Sequence, residues 1–164
     1  FEEIITTDFG TFLIESHSYQ ISSNQGINSY ERELLVSKFD DSGKMEWMKI
    51  IPKFTANGLN EFNYLVKNRK IYFFYAEHPK NLEKTTITDY NPKKYQPIKN
   101  YNGSFLVCTS LDEKGSLERK EVFRNKGWCY DPSATNIVLD NGKTLLLRMI
   151  NDESERYDKI SLGN

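Results

Sequence analysis

Asp40-Asp41-Ser42-Gly43 returns later in the chain as Asp112-Glu113-Lys114-Gly115, and 112 − 40 gives an offset of 72. The match extends outward on both sides. At the same offset Leu34-Leu35-Val36 faces Leu106-Val107-Cys108, Met45-Glu46 faces Leu117-Glu118, and Ile50-Ile51 faces Val122-Phe123. A second match runs at 136 − 63 = 73, setting Asn63-Tyr64-Leu65-Val66 against Asn136-Ile137-Val138-Leu139 and Tyr72-Phe73-Phe74 against Leu145-Leu146-Leu147. Self-similarity at a fixed period decides architecture before any local feature does.

Each Asp-x-x-Gly is a tight turn. The Asp side chain bonds its own backbone ahead of it, and Gly supplies a positive φ. In the second copy, residues 62–66, 71–76, 105–111 and 117–123 predict four strands. The first copy predicts strands at 3–7, 11–15, 33–39 and 45–51. The third runs from Asn136 through an Asp140-Asn141-Gly142 hairpin signal to 144–150, and closes with Lys159-Ile160-Ser161-Leu162. No segment sustains a helical period of apolar residues.

The prediction is an all-β chain of 1–164 as a single unit, built of repeated four-stranded antiparallel meanders at about 1–53, 54–125 and 126–164, the third incomplete. Such meanders are the units of β-propeller-like folds. Propellers typically use about 4–8 of them, so this chain forms an incomplete ring. The missing blades come from further sequence or from another chain. The alternative is a β-sandwich.

Composition agrees with strands. Ten Tyr and ten Phe stand against Ala56, Ala76 and Ala134 alone, a strand-forming palette. Net charge is −1, so no overall field favours nucleic acid or an anionic membrane. No apolar run approaches the roughly 20 residues that span a bilayer. The chain opens on Phe1 rather than Met, as expected of a processed product or a part of something longer. Cys108 and Cys129 are too few for a disulfide framework. They read as a strand thiol and a loop thiol, bridged only if their Cα atoms approach within about 7 Å.

Within each meander the turns alternate between two ends. One end carries short hairpins. The other is predicted to carry long connections at 16–32, 52–61, 77–103 and 124–135. Loops beyond about 12–15 residues are often functional, and function sits on loops held by a rigid scaffold. This long-loop face holds Tyr19, Tyr30, His78, Tyr90, Tyr95, Tyr101, Trp128 and Tyr130, with Asp131, Asn24, Asn57, Asn81 and Asn91 among them. Aromatic faces beside amides suit a sugar ring or a peptide. The same residues also serve simply to tie long loops down.

Catalytic chemistry is sparse. Rim carboxylates Glu15, Glu77, Asp89 and Asp131 are candidates for glycoside cleavage, which needs two carboxyl groups about 5–10 Å apart; nothing selects a pair. His17 and His78 follow the second strands of two copies, without the further ligands a metal needs. Asp40-Asp41-Ser42-Gly43 and Asn151-Asp152-Glu153-Ser154-Glu155 are turn chemistry rather than calcium loops. Lys80, Lys84, Lys93, Lys94 and Lys99 form a solvated loop. No Gly-x-Ser-x-Gly or phosphate-cradling loop is present. No cofactor and no metal is expected.

The stretches Val36-Ser37-Lys38-Phe39-Asp40, Gly43-Lys44-Met45-Glu46-Trp47, Lys70-Ile71-Tyr72-Phe73-Phe74-Tyr75 and Pro79-Lys80-Asn81-Leu82 resemble uncharacterised secreted proteins of Bacteroidetes bacteria with propeller-like β repeats. The resemblance covers roughly residues 33–162. It implies a periplasmic or outer-surface home and a C-terminal position in the parent protein, and is silent on activity. The residues alone leave the cytoplasm open. The functional expectation is a non-catalytic binding or scaffold module whose long-loop face engages a protein partner or a glycan. The alternative is a glycan-active hydrolase or lyase with rim carboxylates.

Overall fold

The computed structural model describes residues 3–24, 26–56, 62–82, 91–98, 103–124, 127–131, 137–139, 144–151 and 153–161, with backbone only for residues 92 and 137–139. The chain is all-β. Sheet 1 is an antiparallel meander of β1 (Glu3–Thr7), β2 (Gly10–Ser23), β3 (Gly26–Phe39) and β4 (Met45–Ala56). Sheet 2 repeats the order with β5 (Asn63–Lys67), β6 (Lys70–Glu77), β7 (Phe105–Asp112) and β8 (Leu117–Arg124). One helical turn, α1 (Pro79–Leu82), and a 3-10 turn at Pro92–Lys94 interrupt the β6–β7 connection. Sheet 3 holds β10 (Ile137–Leu139), β11 (Thr144–Ile150) and β12 (Glu155–Ser161), and short β9 (Cys129–Tyr130) pairs with the far end of β11. No sheet closes on itself.

The pairing registers reproduce the repeat. Thr7 opposite Gly10 becomes Lys67 opposite Lys70, a shift of 60; Leu34 opposite Ile51 becomes Leu106 opposite Phe123, a shift of 72. The hairpins also match atom for atom. Asp40 Oδ1 accepts from the Ser42 and Lys44 amides, both at 2.9 Å, and Asp112 Oδ1 accepts from the Lys114 and Ser116 amides at 2.9 and 2.8 Å. The Ser42 hydroxyl and the Lys44 amide hold the Asp40 carboxyl below its ordinary pKa. The Asn151 turn is of the same kind, its Oδ1 accepting from the Glu153 and Ser154 amides.

The sheets stack face to face. Phe12, Ile14, Leu34, Val36 and Ile51 of sheet 1 meet Ile71, Phe73, Tyr75, Val107 and Leu111 of sheet 2. Phe74 and Leu106, on the opposite face of sheet 2, meet Tyr130, Leu145, Leu147 and Met149 of sheet 3. Sheet 2 is thus covered on both faces, which explains why Ile71-Tyr72-Phe73-Phe74-Tyr75-Ala76 is apolar without alternation. Complete burial of one such side chain contributes about 1.5–3 kcal/mol.

Two sequence expectations need correction. Residues 16–32 are no loop: β2 and β3 run on through them as one continuous ladder, with a bulge between His17 and Ser18. Beyond the last β4 pairing, at Tyr30 opposite Ala56, the ladder continues as a two-stranded ribbon to Ser23 opposite Gly26. Likewise β4 passes Pro52 and ends at Ala56. Pro52 sits at the irregularity between Glu31 and Glu33 on an edge strand, where proline is tolerated.

The second correction concerns the third copy. The match at 73 sets Phe73 against Leu146, yet the residues that face the preceding sheet are Leu145, Leu147 and Met149. The strand pairing itself keeps the match at 73: Val66 opposite Ile71 becomes Leu139 opposite Thr144, and Tyr64 opposite Phe73 becomes Ile137 opposite Leu146. What differs is which side of the hairpin meets the neighbouring sheet. β12 also begins earlier than expected, at Glu155.

Candidate functional site

The end of the stack opposite the short hairpins carries two distinct arrangements. The first is an aromatic–cation cluster at the base of the ribbon. The β2–β3 register sets Tyr19 directly opposite Tyr30, and their rings stack with centroids 5.2 Å apart and 16° between planes. Phe54 of β4 tilts against Tyr30 at 6.0 Å. The Arg32 guanidinium lies 4.4 Å from the Tyr19 ring centroid and donates to the Tyr19 hydroxyl at 3.3 Å. Cation–π contacts of this kind contribute about 0.5–1 kcal/mol when exposed. Beyond the cluster the ribbon shows Ile21 and Ile27 to solvent, Ile27 with 67% of its surface open.

The second arrangement is a buried polar network between sheets 1 and 2. Lys53 Nζ donates to Glu31 Oε2 at 2.8 Å, with Lys53 almost wholly buried. Glu77, at the end of β6, is fully buried. Its Oε1 accepts from the His78 amide at 2.8 Å and from Asn81 Nδ2 at 2.7 Å, and its Oε2 lies 3.9 Å from Arg119 Nη1. Burial pushes the Glu77 carboxyl up to about 7, against the smaller opposing pull of these hydrogen bonds and of Arg119 and Lys53.

Asn81 ties the network to the returning loop. Its Nδ2 also donates to the Gln96 carbonyl, its Oδ1 accepts from the Gln96 amide, and its own carbonyl accepts from Arg119. Two residues on, Ile98 bridges in parallel to Thr55, with backbone bonds to Phe54 and Ala56. The connection leaving sheet 2 therefore straps the outer edge of sheet 1. The Tyr75 hydroxyl, 2.9 Å from Thr109 Oγ1, is held protonated chiefly by its burial.

The residues expected on the long-loop face divide three ways. Tyr19 and Tyr30 come together as described. His78 stands at the start of α1, its Nδ1 accepting from the Lys80 amide. Trp128 lies under the Arg156 guanidinium, 4.4 Å from its ring centroid, and Asp131 is bound to Arg148 at 2.9 Å. Tyr95 and Tyr130 are buried, and Asp131 nearly so. Tyr130 packs in the second core opposite Met149 on β11. Burial makes these packing and pairing groups rather than stacking platforms for a ligand. Tyr90, Tyr101, Asn57 and Asp89 lie outside the described residues.

Of the other candidates, His17 is mid-strand, its Nδ1 2.6 Å from Glu33 Oε1. Cys108 and Cys129 both remain thiols, and Cys129 is on a strand rather than a loop. Sequence reasoning missed Arg32, Lys53, Glu31 and Arg119. The alternation Tyr19-Gln20-Ile21, closed by Asn24 and Gly26, was the available sign of a ribbon. Among the described residues no helix is long and apolar enough to cross a membrane. Comparison with family models, curated proteins and solved structures gives no match.

Proposed function

We propose that this chain is an arc of a β-propeller-like stack acting as a non-catalytic binding module of a secreted or cell-surface protein. The β2–β3 ribbon engages a protein partner. The observation that carries this is the ribbon itself: a paired extension of the scaffold strands, braced at its base by Tyr19, Tyr30, Arg32 and Phe54, with Ile21 left open on the Tyr19 face and Ile27 on the opposite one. Exposed aliphatic side chains on a rigid support favour a protein over a glycan, whose recognition relies on exposed aromatic faces with polar edges. Tyr95 and Tyr130 are withdrawn from that role by burial.

The hydrolase alternative finds one supporting feature, the raised acid of Glu77. That carboxyl is sealed under Asn81 and the loop return, and Glu31 is committed to Lys53.

Site-specific photo-crosslinking in the source cells tests the proposal. A benzoylphenylalanine at position 27 is expected to trap one discrete protein, and one at position 114, on the β7–β8 hairpin at the opposite end of the fold, is expected to trap none. Retention of glycans on an array, abolished by Tyr19→Ala with position 27 silent, would move the ligand class to sugar. Silence in both would overturn the binding reading of the ribbon.

A further inference from the structure

The outer face of sheet 1 is apolar. Ile4, Leu13, Ser37 and Met48 form one row across its four strands, and Glu15, Leu35 and Ile50 form the next. Ile4, Met48 and Ile50 are exposed, Ile4 by 54%. The repeat shows what such a face is for. By the shifts of 60 and 72, Leu13 and Leu35 stand where sheet 2 has Phe73 and Val107, and both of those are buried under sheet 1.

The hairpin beside this face repeats the argument at atomic detail. In sheet 2 the Glu113 carbonyl accepts from Trp47 Nε1 at 3.2 Å and Lys38 Nζ at 3.3 Å, both belonging to sheet 1. Gly115 lies against Trp47, since a Cβ there would come within 3.3 Å of the indole ring. The equivalents in sheet 1 are Asp41 and Gly43, held in the same turn geometry by Asp40, and a Cβ at Gly43 meets nothing within 4 Å. Asp8, Asp40, Asp41, Glu46 and Lys38 line a recess of about 210 Å³ beside this hairpin, in which Lys38 pairs with Glu46 at 2.6 Å.

The opposite end of the stack differs. Leu147 and Met149 point into the second core, so Arg148 between them points outward. Arg148 is ion-paired with Asp131 and Glu155. Leu146 and Ile150 share this outward face, so it is polar only in part.

We infer that the outer face of sheet 1 is a docking surface for one further antiparallel sheet of this same repeat. That sheet lays an apolar face on Leu13, Leu35, Met48 and Ile50 and donates Trp- and Lys-type hydrogen bonds to the Asp41 carbonyl. The contact continues the interface already formed between sheets 1 and 2. The inference rests on the stacked-arc reading above and is independent of the ribbon, so failure of the crosslinking test leaves it standing.

The test lengthens the full chain by a copy of residues 3–62 placed ahead of Glu3, with Met45→Leu and Met48→Leu in the added copy only. Oxidation by hydrogen peroxide is followed by mass spectrometry. Met48 is expected to oxidise readily in the chain alone and about tenfold more slowly in the lengthened chain, while buried Met149 stays slow in both. Equal rates for Met48 in the two proteins would overturn the inference. Ile50→Lys provides a second reading: it should lower the unfolding midpoint of the lengthened chain and leave that of the chain alone unchanged. Equal effects would contradict the docking surface. A dimer of the chain alone, dissolved by Ile50→Lys, would assign the face to a second copy and overturn the proposed occupant.

Discussion

Glu77 couples the fold to pH in a direction unusual for a carboxylate. Its folded value is raised from 4.5 to about 7, chiefly by burial. The folded chain therefore holds a proton that the unfolded chain releases. This contribution to stability is fully present below pH 4.5, falls as pH rises toward 7, and is flat above that. The span corresponds to roughly 3 kcal/mol. Glu77→Gln keeps an acceptor for Asn81 and the His78 amide but removes the titration. Denaturant unfolding at pH 5 and pH 7.5 should show the natural chain losing more stability between the two than Glu77→Gln does. The Lys53–Glu31 pair makes a second prediction. Glu31→Ala removes the carboxylate that accepts from buried Lys53 at 2.8 Å, and breaking such a buried pair costs up to about 3–5 kcal/mol. Adding Lys53→Met should recover most of that loss, as judged by the same unfolding curves. Neither partner stood out in the sequence, because Glu31 and Lys53 become neighbours only through a β3–β4 ladder longer than expected.

At the scale of elements, the hairpins test how the sheets interlock. Gly43 and Gly115 share nearly the same positive φ, 79° and 81°, so an added Cβ strains both turns alike. Only at Gly115 does that Cβ also press on Trp47 and Lys49, the latter at 2.7 Å. Gly115→Ala should therefore lower the thermal midpoint further than Gly43→Ala, the difference reporting the contact between sheets 1 and 2. Cys108, on β7, has its thiol pushed up to about 12 by burial. It should resist alkylation at pH 8 in the folded chain and react on unfolding.

The hairpins were legible from sequence because their chemistry is local: an Asp, a Gly and three or four residues determine the turn. The ribbon was not. Residues 16–32 are rich in Ser, Asn and Tyr, and beyond the brief alternation at Tyr19-Gln20-Ile21 their pairing involves a bulge and cross-strand aromatic stacking that a local pattern does not announce. The facing of sheet 3 escaped as well. Leu145-Leu146-Leu147 is apolar at every position, and only Arg148 between Leu147 and Met149 marks which side faces inward.

At the scale of the whole molecule, three sheets form a stack in which sheet 2 presents one face to sheet 1 and the other to sheet 3. Repeat matching in the sequence recovered the strand order and the short-turn end, since those follow from turn residues and offsets. It did not recover the candidate site, where, among the described residues, Tyr19 and Tyr30 are the expected aromatics that meet. Tyr95 and Tyr130 look like surface aromatics in sequence because their loop neighbours are polar, yet the strap and β9 carry them inward.

The central claim is that sheet 2 is the covered middle layer and the ribbon an exposed extension. Amide hydrogen exchange on the intact chain tests it most directly. Ile71–Tyr75 of β6 and Leu106–Leu111 of β7 should be the slowest segments, opening only with global unfolding, while Gln20–Ser23 exchanges orders of magnitude faster. Exchange of β6 as fast as that of the ribbon would contradict the stacked arrangement.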